Sequence, residues 1–283
     1  TALLNNLEFD HADIFADLAA IETQFHHLVR TVPSDGLLVV NGEEPALERV
    51  ITRGAWAPVE RFGQDVVNEW SLVSQEADGF IVRKAGKDVA TVTWAPDSGV
   101  MGRHNQLNAL AAIAAANHIG ISPADSARAL AEFKNVKRRL ETIGVANDIT
   151  VYDDFAHHPT AITTTVDGLR RRVGKSRILA VLEPRSNTMK LGTMKAQLPD
   201  SLQQADKVFA YGASSGKESL GWDLAKVLAP LNTQGEVKAQ AFDDLDSLVI
   251  AVAKEAKPGD HILVMSNGGF GGVHQKLLKK IAS

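Results

Sequence analysis

At 283 residues, with 45% hydrophobic and 23% charged side chains, the sequence is that of an ordinary globular protein long enough for two cores. It has no cysteine, which excludes disulfides and thiolate metal sites, and no apolar run approaches the ~20 residues of a membrane-spanning helix, so a cytoplasmic setting is expected. The net charge of −4 divides unevenly: residues 1–133 carry 9 lysines and arginines against 18 acids, residues 134–283 carry 21 against 16, and neither half holds a nucleic-acid patch.

No basic-then-apolar leader opens the chain. Thr1–Leu7 reads as the inside of a strand entering a loop, so the sequence is expected to begin within a domain. Leu7-Glu8-Phe9-Asp10-His11-Ala12-Asp13 then sets three acids and a histidine behind that strand. Oxygen ligands with one imidazole suit Mg²⁺ or Mn²⁺ at a phosphate site, and the alternative is helix capping by Asp10 or Asp13. Ile14, Leu18, Ile21, Phe25 and Leu28 recur at helical spacing; His26 and His27 lie in that helix, where a satisfied or solvated role is expected.

Gly36–Asn41 is a buried strand, and the short alternating runs over 54–99, with turns at Asp78-Gly79 and Ala85-Gly86-Lys87, predict antiparallel hairpins. Gly102-Arg103-His104-Asn105-Gln106-Leu107-Asn108 opens an alanine-rich helix to about Ile119, and a second runs from Ser122 to near Phe133. Asn105 and Asn108 share one face of the first turn, and paired amides offer the donors and acceptors that an adenine edge requires. Capping explains one of them more simply than both.

Residues 134–283 alternate regularly. Strands are predicted at 148–153, 176–182, 207–211, 238–242 and 260–265, and helices at 160–172, 193–204, 220–230, 244–256 and 271–281, which makes an α/β domain with a mainly parallel sheet. The polar residues gather at the carboxyl ends of the strands: Asp153-Asp154, Glu183-Pro184-Arg185-Ser186-Asn187-Thr188, Tyr211-Gly212 and Ser266-Asn267-Gly268-Gly269-Phe270-Gly271-Gly272. Ligands sit at that end of open α/β sheets, and the free amides of the last stretch suit an anion. Two adjacent carboxylates need a metal, a sugar hydroxyl or a basic partner if buried, and otherwise form a solvated turn with a helix cap. Gly174-Lys175-Ser176 and Gly216-Lys217-Glu218 do not fit the spacing of a phosphate loop.

Together, Asp10-His11 with Asp13, the G-R-H-N-Q-L-N-A helix start, K-R-R-L-E at 137–141 and Y-D-D-F-A-H-H-P-T resemble the Mur ligases of peptidoglycan synthesis over essentially the whole chain. The resemblance implies residues 1–133 as the C-terminal part of a central ATP-binding domain and 134–283 as a Rossmann-like ligase domain. The N-terminal region of the same protein, with the UDP-sugar domain and phosphate loop, would lie outside the sequence. It further implies ATP and Mg²⁺ as cofactors, and an amide ligation through an acyl phosphate. By motif position, His11 resembles the Mg²⁺ ligand, Asn105 and Asn108 the adenine contacts, Arg139 the arginine that reaches the phosphates, and Asp154 the ribose-binding aspartate. His157, Arg185, Ser186, Asn187 and Asn267 fall where the amino-acid or peptide substrate is held, His157 and Arg139 being nearest the chemistry. Several members carry a carbamylated lysine further along the helix after the metal histidine; here that neighbourhood is Gln24-Phe25-His26-His27, without lysine. L-E-F-D-H-A-D-I-F, E-P-R-S-N-T-M-K and S-N-G-G-F-G-G resemble the members that join UDP-N-acetylmuramate to L-alanyl-γ-D-glutamyl-meso-diaminopimelate. The alternatives are the members that add L-alanine alone, and a noncatalytic peptide-binding module.

Overall fold

Alternation along Leu37–Val40 places apolar side chains on both faces of one strand: Leu38 and Val40 enter one cluster, Leu37 and Val39 another, and all are buried. This strand lies within the first of two units into which the chain divides, Thr1–Lys134 and Asn135–Ser283. The computed structural model describes residues 1–64, 67–74, 79–95, 98–213, 219–233 and 235–283. Asp78 of the expected turn and Gly216-Lys217-Glu218 lie outside the described residues.

The first unit runs β1 (Ala2–Leu4), α1 (Leu18–Thr31), β2 (Leu38–Asn41), α2 (Pro45–Thr52), β3 (Val59–Gly63), β4 (Trp70–Ser74), β5 (Phe80–Lys84), β6 (Lys87–Val92), α3 (Arg103–His118) and α4 (Pro123–Ala131). The strands lie in chain order in one sheet. Val29 of α1 with Leu47 and Val50 of α2 close one face; Leu107, Leu110 and Ile113 of α3 close the other. The expectation of antiparallel hairpins over 54–99 needs correction, because β3 pairs in parallel with both β2 and β4. The α2 crossover between β2 and β3 permits that parallel pairing. Antiparallel pairing begins at β4–β5, and Ala85-Gly86 makes the β5–β6 turn with φ of 48° and 77°.

The second unit runs β7 (Glu141–Ala146), β8 (Ile149–Asp154), α5 (Pro159–Val173), β9 (Ile178–Leu182), α6 (Asn187–Lys190), α7 (Leu198–Ser201), β10 (Lys207–Tyr211), α8 (Leu224–Leu228), β11 (Ala239–Phe242), α9 (Leu245–Glu255), β12 (His261–Met265) and α10 (Val273–Ala282). The sheet order is β11-β10-β9-β12-β8-β7, parallel except for β7. The five expected strands are present, and β7 is added to them at the edge. Asn147 and Asp148, at φ of 48° and 59°, make the tight β7–β8 turn.

Two expected helices come out shorter. The helix predicted over 193–204 reduces to a 3₁₀ turn and α7, and the one over 220–230 to α8 with a following 3₁₀ turn. In the first, Pro199 lacks the N–H that would continue the ladder and stands in the first turn of α7; in the second, Trp222 Nε1 donates to Met189 O at 2.7 Å, and Gly221 N donates to Lys190 O at 3.1 Å. The segment before α8 is thus docked on the turn after α6 instead of coiling. Among the described residues no helix is long and apolar enough to cross a membrane.

Candidate functional site

In the second unit, Asp154, Met265 and Leu182 stand in register on the adjacent strands β8, β12 and β9. The chain therefore leaves the sheet at one level on three neighbours. Because β12 returns between β8 and β9, strand order reverses there, which is where open α/β sheets form a crevice.

Asp153 and Asp154 end β8, 7% and 2% exposed. Asp153 Oδ2 accepts from Arg138 Nε at 3.0 Å, and His274 Nε2 stands 3.1 Å from its Oδ1, close enough for an ion pair but off the hydrogen-bonding direction. Burial raises the Asp153 pKa, but His274 and Arg138 outweigh it and hold the carboxyl below the usual range. Asp154 is different. Its Oδ2 accepts from Leu140 N at 2.8 Å, and its Oδ1 accepts from Ala156 N at 2.8 Å and Thr165 Oγ1 at 3.2 Å. Burial dominates these donors and the nearby Arg139 charge, and pushes Asp154 upward. Neighbouring environments thus separate two chemically identical groups.

Arg138 is the residue that sequence inspection passes over in favour of Arg139. Its Nη2 donates to Ser266 O at 2.6 Å and Gly268 O at 2.8 Å, and its guanidinium lies 5.0 Å from the centroid of the Phe155 ring. It thereby joins the entry to β7, the end of β8 and the loop after β12. Both neighbours of Arg139 are left-handed, Arg138 at φ 60° and Leu140 at 47°, and Arg139 itself is exposed. The doubled arginine in K-R-R was the available signal; which of the two turns inward depends on that backbone.

At the end of β9, Glu183 is buried and accepts from Ser266 Oγ at 2.6 Å, while Arg185 Nη1 lies 3.9 Å from Glu183 Oε2. Ser186 caps α6 through its hydroxyl, which accepts from Met189 N at 3.3 Å, and Asn187 is exposed beside it. Asn267 Oδ1 is buried without a hydrogen-bond partner. His157 Nδ1 stands 2.9 Å from Phe155 O, which assigns the ring proton of the neutral form to Nδ1 and leaves Nε2 as acceptor. The second unit thus brings His157, Arg185, Ser186, Asn187 and Asn267 onto loops at one sheet edge, with Glu183, Ser266 and His274 beneath them.

In the first unit, Asn5 Nδ2 donates to Asn108 Oδ1 at 2.7 Å, Asn108 Nδ2 reaches Asn105 Oδ1 at 3.5 Å, and Asn105 Nδ2 donates to Met101 O at 2.7 Å. The two expected amides are adjacent, and Asn5 extends the row. Neither Asp10 nor Asp13 caps α1, because the helix starts later, where Asp17 Oδ1 accepts from Ala20 N at 2.8 Å. His11 is exposed, at φ 53°, and Asp10 Oδ1 accepts from its backbone N–H at 2.7 Å. Among the described residues no group of three His, Asp or Glu side chains is placed to hold a metal ion. His11, Asp10 and Asp13 therefore form no three-ligand set by themselves. His27 is exposed as expected, but His26 is not satisfied: its Nε2 is buried without a partner, beside the Trp56 ring.

Comparison with known proteins gives two family matches, the Mur ligase middle domain over residues 1–116 and the Mur ligase glutamate ligase domain over 138–268. The UDP-N-acetylmuramate–L-alanyl-γ-D-glutamyl-meso-2,6-diaminoheptandioate ligase of Escherichia coli is 48% identical over 100% of this chain and 59% of its own length. The crystal structure of a murein peptide ligase from Psychrobacter arcticus is 41% identical, with a TM-score of 0.72 over 100% of this chain and 57% of that one. The UDP-N-acetylmuramate–L-alanine ligase of Desulfitobacterium hafniense is 31% identical over 98% of this chain and 61% of its own length. The chain thus spans about three fifths of the curated relatives it matches.

Proposed function

The chain belongs to the Mur ligase family, and from that premise we propose that the protein carrying it joins UDP-N-acetylmuramate to L-alanyl-γ-D-glutamyl-meso-diaminopimelate. The observation that carries this is the identity of 48% to a ligase named for that tripeptide, against 31% to one named for L-alanine. ATP supplies a phosphoryl group that activates the sugar's carboxylate as an acyl phosphate, from which the peptide amine displaces phosphate. Such a reaction asks the protein for alignment and charge neutralisation rather than a covalent nucleophile.

Asn105 and Asn108 hold the adenine. Arg139, exposed between two pinned left-handed neighbours, reaches the phosphates. Asp154 is only 2% exposed, so it acts at the ribose edge by fixing Leu140 beside Arg139. His157 Nε2 accepts from the peptide amine, Arg185 takes a peptide carboxylate through its planar fork, and Ser186, Asn187 and Asn267 complete the peptide site. A cytoplasmic setting and the contribution of the remaining part of the protein belong to the same proposal.

The test is an assay of the full-length protein with ATP, UDP-N-acetylmuramate and tripeptide. One phosphate per amide formed is expected. A higher kcat/KM with L-alanine in place of the tripeptide would move the assignment to the L-alanine ligases, and peptide binding without turnover would make this a binding module. In the same assay Asn105→Ala is expected to raise KM for ATP about tenfold, equivalent to about 1.4 kcal/mol and within the ~1–3 kcal/mol of a polar partner left unsatisfied, with KM for tripeptide unchanged. An unchanged KM for ATP would reduce Asn105 to its contact with Met101.

A further inference from the structure

The loop Ser266–Gly269 is held more tightly than its glycines suggest. Ser266 is 1% exposed; its hydroxyl donates to Glu183 Oε2 at 2.6 Å and accepts from Gly268 N at 3.0 Å. Arg138 Nη2 donates to the carbonyls of Ser266 and Gly268. Gly268 is therefore fixed at both its nitrogen and its oxygen. The Arg185 side chain lies against what remains of it: a Cβ at Gly268 would fall 1.9 Å from Arg185 Nη1, 2.6 Å from Cζ and 2.8 Å from Cδ. Glu183 Oε2, from the same network, faces the guanidinium at 3.9 Å. The side chain nonetheless keeps 31% of its surface open to solvent.

Glycine here is not a conformational requirement. Gly268 is absent from the residues with left-handed φ, whereas Gly271 and Gly272 in the same loop have φ of 55° and 71°. Alanine can adopt the backbone at 268 without strain. The three atoms nearest to it all belong to the flexible Arg185 side chain, so the side chain would move and the loop would stay.

We propose that Gly268 is the seat of Arg185 and so determines specificity for the acidic end of the peptide, acting as a positioning residue through the arginine. This rests on the reading that Arg185 takes a peptide carboxylate. A guanidinium binds a carboxylate in a planar, two-bond geometry that tolerates little displacement. A flat, pinned glycine on one side and a carboxylate at the edge hold that plane; a methyl at 268 removes the seat while the charge remains.

The experiment compares the full-length wild-type protein with Arg185→Ala, Gly268→Ala and the double variant, measuring kcat and KM for tripeptide and for ATP, with thermal unfolding alongside. Gly268→Ala is expected to raise KM for tripeptide about tenfold, leaving kcat, KM for ATP and the unfolding midpoint near wild type. The double variant is expected to be no worse than Arg185→Ala, because both changes remove one interaction. Gly269→Ala places the same methyl one residue along, with nothing within 4 Å of it, and reports what a loop methyl costs without displacing Arg185. Additive effects of the two changes, equal effects of Gly268→Ala and Gly269→Ala, or an unchanged peptide KM in Gly268→Ala would overturn the proposal. Should Arg185→Ala itself leave peptide KM unchanged, the role of Arg185 in the proposed function fails first, and the two failures are told apart.

Discussion

Replacing Arg138 by alanine is expected to destabilise the protein by about 3–4 kcal/mol, the largest effect of any single change in the strand-end loops. The side chain makes three hydrogen bonds, to Asp153 Oδ2, Ser266 O and Gly268 O. Its loss leaves two carbonyls short of a donor and a carboxylate that is 7% exposed with His274 opposite. Removing one partner of a buried charged pair costs more than the pair is worth, because the remaining charge stays desolvated. Arg138→Lys keeps the charge but cannot span two carbonyls and a carboxylate at once, and should recover less than half of the loss. Urea denaturation followed by circular dichroism measures both. A loss under about 1 kcal/mol for the alanine variant, the range of an exposed ion pair, would show the cluster to be solvated instead.

Asp153→Asn and Asp154→Asn are expected to differ in how their cost changes with pH. The folded-state pKa of Asp153 lies below the ordinary 3.8. Its contribution is present above 3.8 and is lost as pH falls through the folded value. The cost of Asp153→Asn should therefore shrink on acidification. The folded-state pKa of Asp154 lies above 3.8. Folding takes up a proton as pH falls through the raised value, so wild type gains on the Asp154→Asn variant and the cost of that change grows. At neutral pH, Asp154→Asn already sets an amide N–H₂ against the N–H of Leu140 or Ala156, about 1–3 kcal/mol. Urea midpoints followed from pH 7 to well below 3.8 decide the matter; parallel trends in the two variants would remove the distinction drawn between the carboxylates.

Much of this arrangement was legible before any coordinates. The run Ile149–Tyr152 stopping at two acids marks a strand end, and the spacing of apolar segments from 148 onward predicts the five parallel strands that are found. What escaped notice has identifiable causes. Strand β7 is an edge strand interrupted by a bulge between Thr142 and Gly144, so the period of two that reveals a strand is broken in its middle. Its hairpin signal was present in Asn147-Asp148, two residues that tolerate left-handed backbone. The helix over 193–204 is broken by Pro199, which has no backbone N–H to continue the ladder and stands in the first turn of α7. Asn5 carries no local signal, because its partner, Asn108, lies a whole domain's length away along the chain.

By itself the sequence determined the class of each unit, the level at which strands end, and the residue types available there, because periodicity records which side of each segment meets the core. Only the tertiary structure decided which of two adjacent arginines turns inward, which of two adjacent aspartates has its pKa lowered and which raised, and that Arg185 lies on Gly268. Those outcomes depend on strand order. By inserting β12 between β8 and β9, the fold brings residues 138, 153, 183, 266 and 274 within hydrogen-bonding or ion-pair reach of their neighbours. Local sequence carries no record of that adjacency, since each residue's charge state and orientation are set by groups that approach it only after the sheet has closed.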